Sequence, residues 1–255
     1  MLFWVIFLKT VKVTNFKKLL SNPIVTGTLI LTFAGGASRF IGFFYRIFLT
    51  RTIGAEGLGI YQLICPVLAL SYALCCAGFQ TAISKLIAEA RDNSRKCLAA
   101  GIFLSLIVTI IFEAIIYLYA DLIAIKIICE PRCEELLRIL SFSLIPATIH
   151  SCINGCYYGL KKTMVPALSQ LVEQFARVGS VYLIYVVKRS SGSPLTPADV
   201  VWGITICEIC GLLFSVSAMH FTNPISIAAN TYKHNNALNL YDRRKTHKLP
   251  RHLIN

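Results

Sequence analysis

The chain has 255 residues, of which 56% are hydrophobic and 15% charged, with a mean hydropathy of +0.66. That balance leaves too little polar surface for a water-soluble globule and makes the bilayer the expected solvent. The net charge of +13 would suit a nucleic-acid binder, but the basic residues are distributed between apolar runs rather than gathered in one patch, so no nucleic-acid partner is expected.

The opening MLFWVIFL is too short to span and is followed by no small-residue cleavage pattern, so it is expected to lie at the interface or to be an upstream mis-start. Residues 1–22 are predicted to form a basic cytoplasmic N-terminus. An apolar run of about 20 residues crosses about 30 Å of hydrocarbon. Six such runs follow: Ile24 to Thr50, Tyr61 to Ile83, Leu98 to Tyr119, Leu136 to Leu160, Val165 to Val187 and Val200 to His220. The predicted architecture is an all-α membrane protein, with about six transmembrane helices over residues 23–220 and a basic cytoplasmic tail over 221–255. The tail, ending YDRRKTHKLPRHLIN, has no apolar period and suits contact with anionic headgroups.

Charge orients these spans. With the N-terminus inside, sixteen Lys and Arg side chains fall in cytoplasmic segments, among them Lys17, Lys18, Lys85, Arg95, Lys161, Lys162, Arg243 and Arg244. Only five, Arg51, Lys126, Arg132, Lys188 and Arg189, fall outside. The outer loops also hold Glu56, Asp121, Glu130, Glu134, Glu135 and Asp199.

Ionisable groups within the spans are the informative features, since a central Arg or Asp costs about 2.5 to 3.5 kcal/mol even on the mildest scale. In the first span Gly35, Arg39, Gly42 and Arg46 share one helical face, putting two cations about 10 Å apart among glycines. Such a face can fork onto phosphate oxygens, or its arginines can snorkel outward or pair with acids elsewhere. Glu113 in the third span shares a face with Ser105 and Thr109. The fourth carries Pro146, His150 and Asn154, then Tyr157 and Tyr158.

In the fifth span Gln170, Glu173, Gln174 and Arg177 line one face, and Glu173 and Arg177 are spaced for a structural i,i+4 ion pair. Glu208 in the sixth lies near Thr205 and Gly211. Glu113 and Glu208 have no evident local partner; each is protonated or matched to Arg39 or Arg46, which makes both ion-coupling candidates. Most of the ten cysteines lie within spans as small apolar packers, and the Cys207–Cys210 pair sits mid-helix without histidines or a second pair, so neither a metal nor a cofactor is expected. No HExxH, GxSxG, Walker A or dinucleotide loop occurs, and a non-enzymatic role is expected.

The stretch SRFIGFFYRIFLTRTIGAEGLGIYQLICPVLAL, then GFQTAISKLIAEA, then INGCYYGLKKTMVPALSQLVEQFARV resembles the stage V sporulation protein B group. That group belongs to the polysaccharide transporters of the multidrug/oligosaccharidyl-lipid/polysaccharide exporter superfamily. The resemblance runs from about Thr26 to Tyr185. It implies flipping or export of lipid-linked oligosaccharide precursors of a cell wall, including spore-cortex peptidoglycan. Related lipid II flippases carry functional arginines in an SRxxGF segment; Arg39 matches the first, while Arg46 stands one residue off the second.

On this resemblance Arg39 and Arg46 hold a pyrophosphate, and Asn154, Gln170 and Gln174 are candidates for hydrogen bonds to sugar hydroxyls. The partners are then a lipid-linked anionic oligosaccharide and membrane lipids. Family members have two lobes, and the chain covers the first. A truncated or frameshifted product is therefore expected, unless a homodimer or a separate chain supplies the second lobe. The alternatives are a cation-coupled multidrug antiporter lobe, which would use Glu113 or Glu208, and a non-transporting assembly subunit or inert fragment.

Overall fold

The computed structural model describes residues 23–89 and 94–222; the basic N-terminal segment and all but the first two residues of the tail named above lie outside the described residues. These residues form helices without a strand among them. Helix α1 (Pro23–Leu63) continues past the predicted end of the first span and kinks at Gly54, whose φ of 74° and ψ of 175° only glycine adopts readily. Helix α2 (Cys65–Tyr72) runs through a wide π-type turn at Ala73–Ala77 into α3 (Gly78–Glu89). Helix α4 is Ser94–Leu118, α5 Cys133–Ser141, α6 Leu144–Gly159, α7 Met164–Ser190 and α8 Pro197–Thr222.

Large apolar side chains such as Phe33, Phe103 and Leu183 are well exposed on the outer surface, as lipid contact permits and water does not. By length and apolarity, three helical stretches qualify as spans: Val25–Glu89, Ser94–Leu118 and Pro197–Thr222. The first of these has 65 residues, far more than one crossing requires. A fourth is the bent pair α5–α6, whose arms meet at 44°. The sequence predicts one continuous span there; Pro146 breaks it, because proline lacks an N–H and its ring collides with the carbonyl four residues back, at Phe142.

Two local features position the ends. At the start of α8 the run Thr196-Pro197-Ala198-Asp199 is a helix start written in sequence: Pro197 takes the first position, and the Asp199 carboxylate accepts from the Thr196 backbone N–H at 2.7 Å. Lys188 Nζ lies 2.6 Å from the same carboxylate and ties the α7–α8 connection to it. Midway along, Gly155 and Gly159 of α6 let α3 approach backbone to backbone, for a Cβ at Gly155 would come within 2.6 Å of the Gln80 carbonyl oxygen and one at Gly159 within 2.6 Å of that of Ser84.

The apolar core joins Ile60 and Ile64 to Leu136, Leu137 and Leu140 of α5 and Val201 and Ile204 of α8. A second cluster packs Ile83 and Ile87 against Leu98, Cys152 and Cys156. All ten cysteines are free thiols; Cys129 is exposed and Cys133 buried.

Candidate functional site

A cleft of about 720 Å³ opens between the two arms of α1, the start of α2 and the middle of α7. It takes Arg39 and Arg46 from α1, Gln62 from beyond the Gly54 kink, and Gln170, Gln174 and Arg177 from α7. Among the described residues no carboxylate lines it. Arg39 and Arg46 are exposed, and their guanidinium groups make no ion pair or hydrogen bond with any described residue. The hydroxyls of Ser38 and Tyr45, both on the cleft wall, are buried without a partner. A Cβ built on Gly35, Gly36 or Gly42 would meet nothing within 4 Å. These glycines therefore widen the cleft instead of seating a neighbouring helix.

Four of the sequence-predicted ligand contacts, Arg39, Arg46, Gln170 and Gln174, thus gather on one cavity, and the fifth does not. Asn154 is buried in α6, away from the cleft, with Nδ2 2.6 Å from His150 Nε2 and Oδ1 unpartnered. Gln62 and Tyr45 were not singled out by sequence. Their polar heads are isolated in apolar runs, and only the α1 kink turns Gln62 toward Arg39 and Arg46.

The ion pair expected between Glu173 and Arg177 is not formed. Glu173 Oε1 lies 3.0 Å from His150 Nε2, and the Arg177 guanidinium donates to Cys207 Sγ at 3.4 and 3.5 Å. The helix spacing permits the pair, but both side chains lie against α8, Glu173 at Gly211 and Arg177 at Cys207, and then diverge. Glu173 turns to His150 of α6, while Arg177 lines the cleft. Glu208 is matched to neither Arg39 nor Arg46; Tyr72 donates to its Oε1 at 2.7 Å and its Oε2 is 4.0 Å from His150 Nδ1. Ser169 completes the group, with its hydroxyl 3.0 Å from His150 Nε2, 3.2 Å from Glu173 and 3.3 Å from Ser215. One side-chain nitrogen or oxygen from each of His150, Glu173 and Glu208 lies within 4.8 Å of the other two. Glu113 stands apart on α4, half-buried, with Oε2 unpartnered.

A second cavity, of about 810 Å³, lies at one end of the helices between Glu56, Arg132, Glu134, Glu135, Arg138 and Pro197. Arg132 bonds Glu56 at 2.7 Å and Glu130 at 2.8 Å. The hydrogen bonds and charge of Arg132 hold the Glu130 carboxyl below the usual carboxylate range.

Fold and cleft together define an all-α, multi-pass membrane protein with an unpaired cationic face inside the helical array. The chain belongs to the polysaccharide biosynthesis protein family, whose model matches residues 24–231. It is similar to stage V sporulation protein B of Bacillus subtilis (strain 168), with 28% identity over 79% of this chain and 40% of that protein. It is also similar to the lipid II flippase MurJ of the same organism, at 28% identity over 62% of this chain and 32% of the flippase. A third relative, the uncharacterized membrane protein YabM of that strain, is 28% identical over 60% of this chain and 29% of its own. The chain thus spans less than half the length of these curated relatives. No solved structure matches it.

Proposed function

We propose that the chain is one lobe of a flippase for a lipid-linked oligosaccharide, with six spans and both ends in the cytoplasm. The observation that carries this is the pair of unpartnered arginines, Arg39 and Arg46, on a cleft without a carboxylate. A bare guanidinium at membrane depth is costly unless a ligand anion receives it. Arg39 and Arg46 hold the pyrophosphate of the passenger as bidentate donors, and Gln62, Gln170 and Gln174 serve sugar hydroxyls. The lobe works with a second one facing it across the cleft, contributed by another copy of the chain or by a separate polypeptide. The likeness to proteins named as a lipid II flippase and a sporulation protein supports this reading. A cationic drug is the poorer passenger, because the two carboxylates an antiporter would need, Glu113 and Glu208, lie off the cleft.

Binding tests the assignment without requiring turnover. The chain in nanodiscs, titrated with a fluorescent polyprenyl-pyrophosphate-linked disaccharide, is expected to bind it, and Arg39→Ala to weaken binding roughly ten- to a hundredfold, the worth of one charge-assisted contact. Equal affinity in the two proteins sinks the role given to Arg39.

A further inference from the structure

The cluster around His150 lies outside the cleft and plays no part in the reading above. Its three ionisable members come from three helices: His150 from α6, Glu173 from α7 and Glu208 from α8. Their side chains are 10%, 18% and 6% exposed, so their charge must balance locally. The groups facing them can be counted. On α7 there is Arg177, which feels the charge of Glu208. On α8 there is Cys207, on α2 Tyr72, on the π-type turn Cys76, and on α6 itself Tyr158; all four are neutral as thiols and phenols. Helix α4, behind α6, presents Ser105 and Thr109, which bond Cys152 and Thr148, and its Glu113 pairs with none of these groups.

Two carboxylates and one guanidinium sum to −1. Neutrality requires one proton beyond those of a neutral imidazole. The geometry supplies its seat, since Glu173 and Glu208 address opposite nitrogens of the same ring, at 3.0 and 4.0 Å. Asn154 stands beside the same ring, with Nδ2 2.6 Å from Nε2 and Oδ1, in a residue 7% exposed, without a partner. Its amide can turn either its donor or its acceptor to Nε2, according to whether that nitrogen carries a proton.

We propose that His150, Glu173 and Glu208 form a site for one exchangeable proton inside the lobe, held at neutral pH and, together with Arg177, offsetting the two carboxylates. The proton is shared among the three groups as a unit, and Asn154 and Ser169 adjust their hydrogen bonds to its presence. Arg177 also lines the cleft, so an anion drawing on its charge leaves the cluster more negative and tightens its hold on the proton. Use of that proton as a coupling ion rests on the transport reading above; the existence of the site does not.

The experiment reads the proton directly. The full chain, nitrogen-15 labelled at histidine and reconstituted in nanodiscs, is followed by NMR and infrared spectroscopy between about pH 6 and 8, with His150→Gln assigning the ring signal. Expected is either a doubly protonated His150 ring or one buried carboxylic-acid band, present at pH 7 and lost in both Glu173→Gln and Glu208→Gln, where the charge balances without it. Glu173→Gln and Glu208→Gln preserve shape, and two separate variants guard against one misfolding. Absence of both signals throughout the range overturns the proposal, as does their survival in both variants. Replacing choline by sodium is expected to leave the signal unchanged; its loss on adding sodium assigns the site to a metal cation and overturns the proton. None of these readouts depends on flipping, so a failure here is separable from failure of the oligosaccharide-binding test.

Discussion

Glu173 reaches His150 across the α6–α7 contact, with Oε1 3.0 Å from Nε2, and leaves Arg177, its neighbour one turn along the same helix, to a cysteine. Interhelical pairing has won over the local i,i+4 pair. A double-mutant cycle on stability in detergent is therefore expected to give a coupling of roughly 0.6 to 2 kcal/mol between His150 and Glu173, in the range of polar contacts between membrane helices. For Glu173 with Arg177 the coupling is expected to be clearly smaller, and the opposite ranking would restore the local pair.

The glycines divide into two kinds, and substitution tells them apart. Gly155→Ala forces a methyl against the Gln80 backbone, and a melting experiment is expected to show a loss of about 1 to 3 kcal/mol, as for other overpacked contacts. Gly42→Ala meets nothing and removes a helix-weakening residue, so it is expected to stabilise by about 0.5 to 1 kcal/mol. Gly42→Leu extends the test to function. It fills the cleft beside Arg39 and Arg46 and is expected to abolish disaccharide-lipid binding while melting no lower than the parent.

Periodicity made Arg39 and Arg46 legible because both the face and its charge are properties of one helix. The same holds for Gln170 and Gln174, which join them on the cleft. What failed was the choice of partners, since even the local Glu173–Arg177 pair gave way to contacts on other helices. Glu208 is bonded by Tyr72, 136 residues away in sequence, and no spacing rule connects them. Asn154 shares the polar character of a sugar ligand but lies one turn from His150 on the same buried face of α6 and bonds its ring instead. The break in the α5–α6 span was foreshadowed by Pro146, which hydropathy averaging over an apolar run conceals.

At the end cavity the Glu130 carboxyl is held down by hydrogen bonds and charge from Arg132. A lowered carboxyl contributes stability that is present above the ordinary carboxylate range and lost as pH falls through the lowered value. Arg132→Ala is expected to return Glu130 to the ordinary range in an NMR titration. Added salt is expected to shrink the difference, because the pair is solvent-facing. A Glu130 titration that does not move in the variant removes Arg132 as the cause.

Cysteine labelling tests the orientation proposed for the lobe. Cys129 is exposed in the connection between α4 and α5, whereas Cys97, partly accessible, stands near the start of α4. A 25-residue helix separates the two ends, enough to place them on opposite faces of a bilayer. In the orientation proposed above, the end of α4 with Arg95 and Lys96, just before Cys97, is the cytoplasmic one, as the positive-inside rule favours. A membrane-impermeant maleimide applied to intact cells is therefore expected to label Cys129, with Cys129→Ser removing the signal. Cys97 is expected to label only after permeabilisation, and the buried thiols of Cys75, Cys152, Cys156 and Cys207 only after unfolding. Labelling of Cys97 but not Cys129 in intact cells would invert the lobe. The anion would then meet the opposite sign of the membrane potential, which is worth about 2.3 kcal/mol per charge per 100 mV.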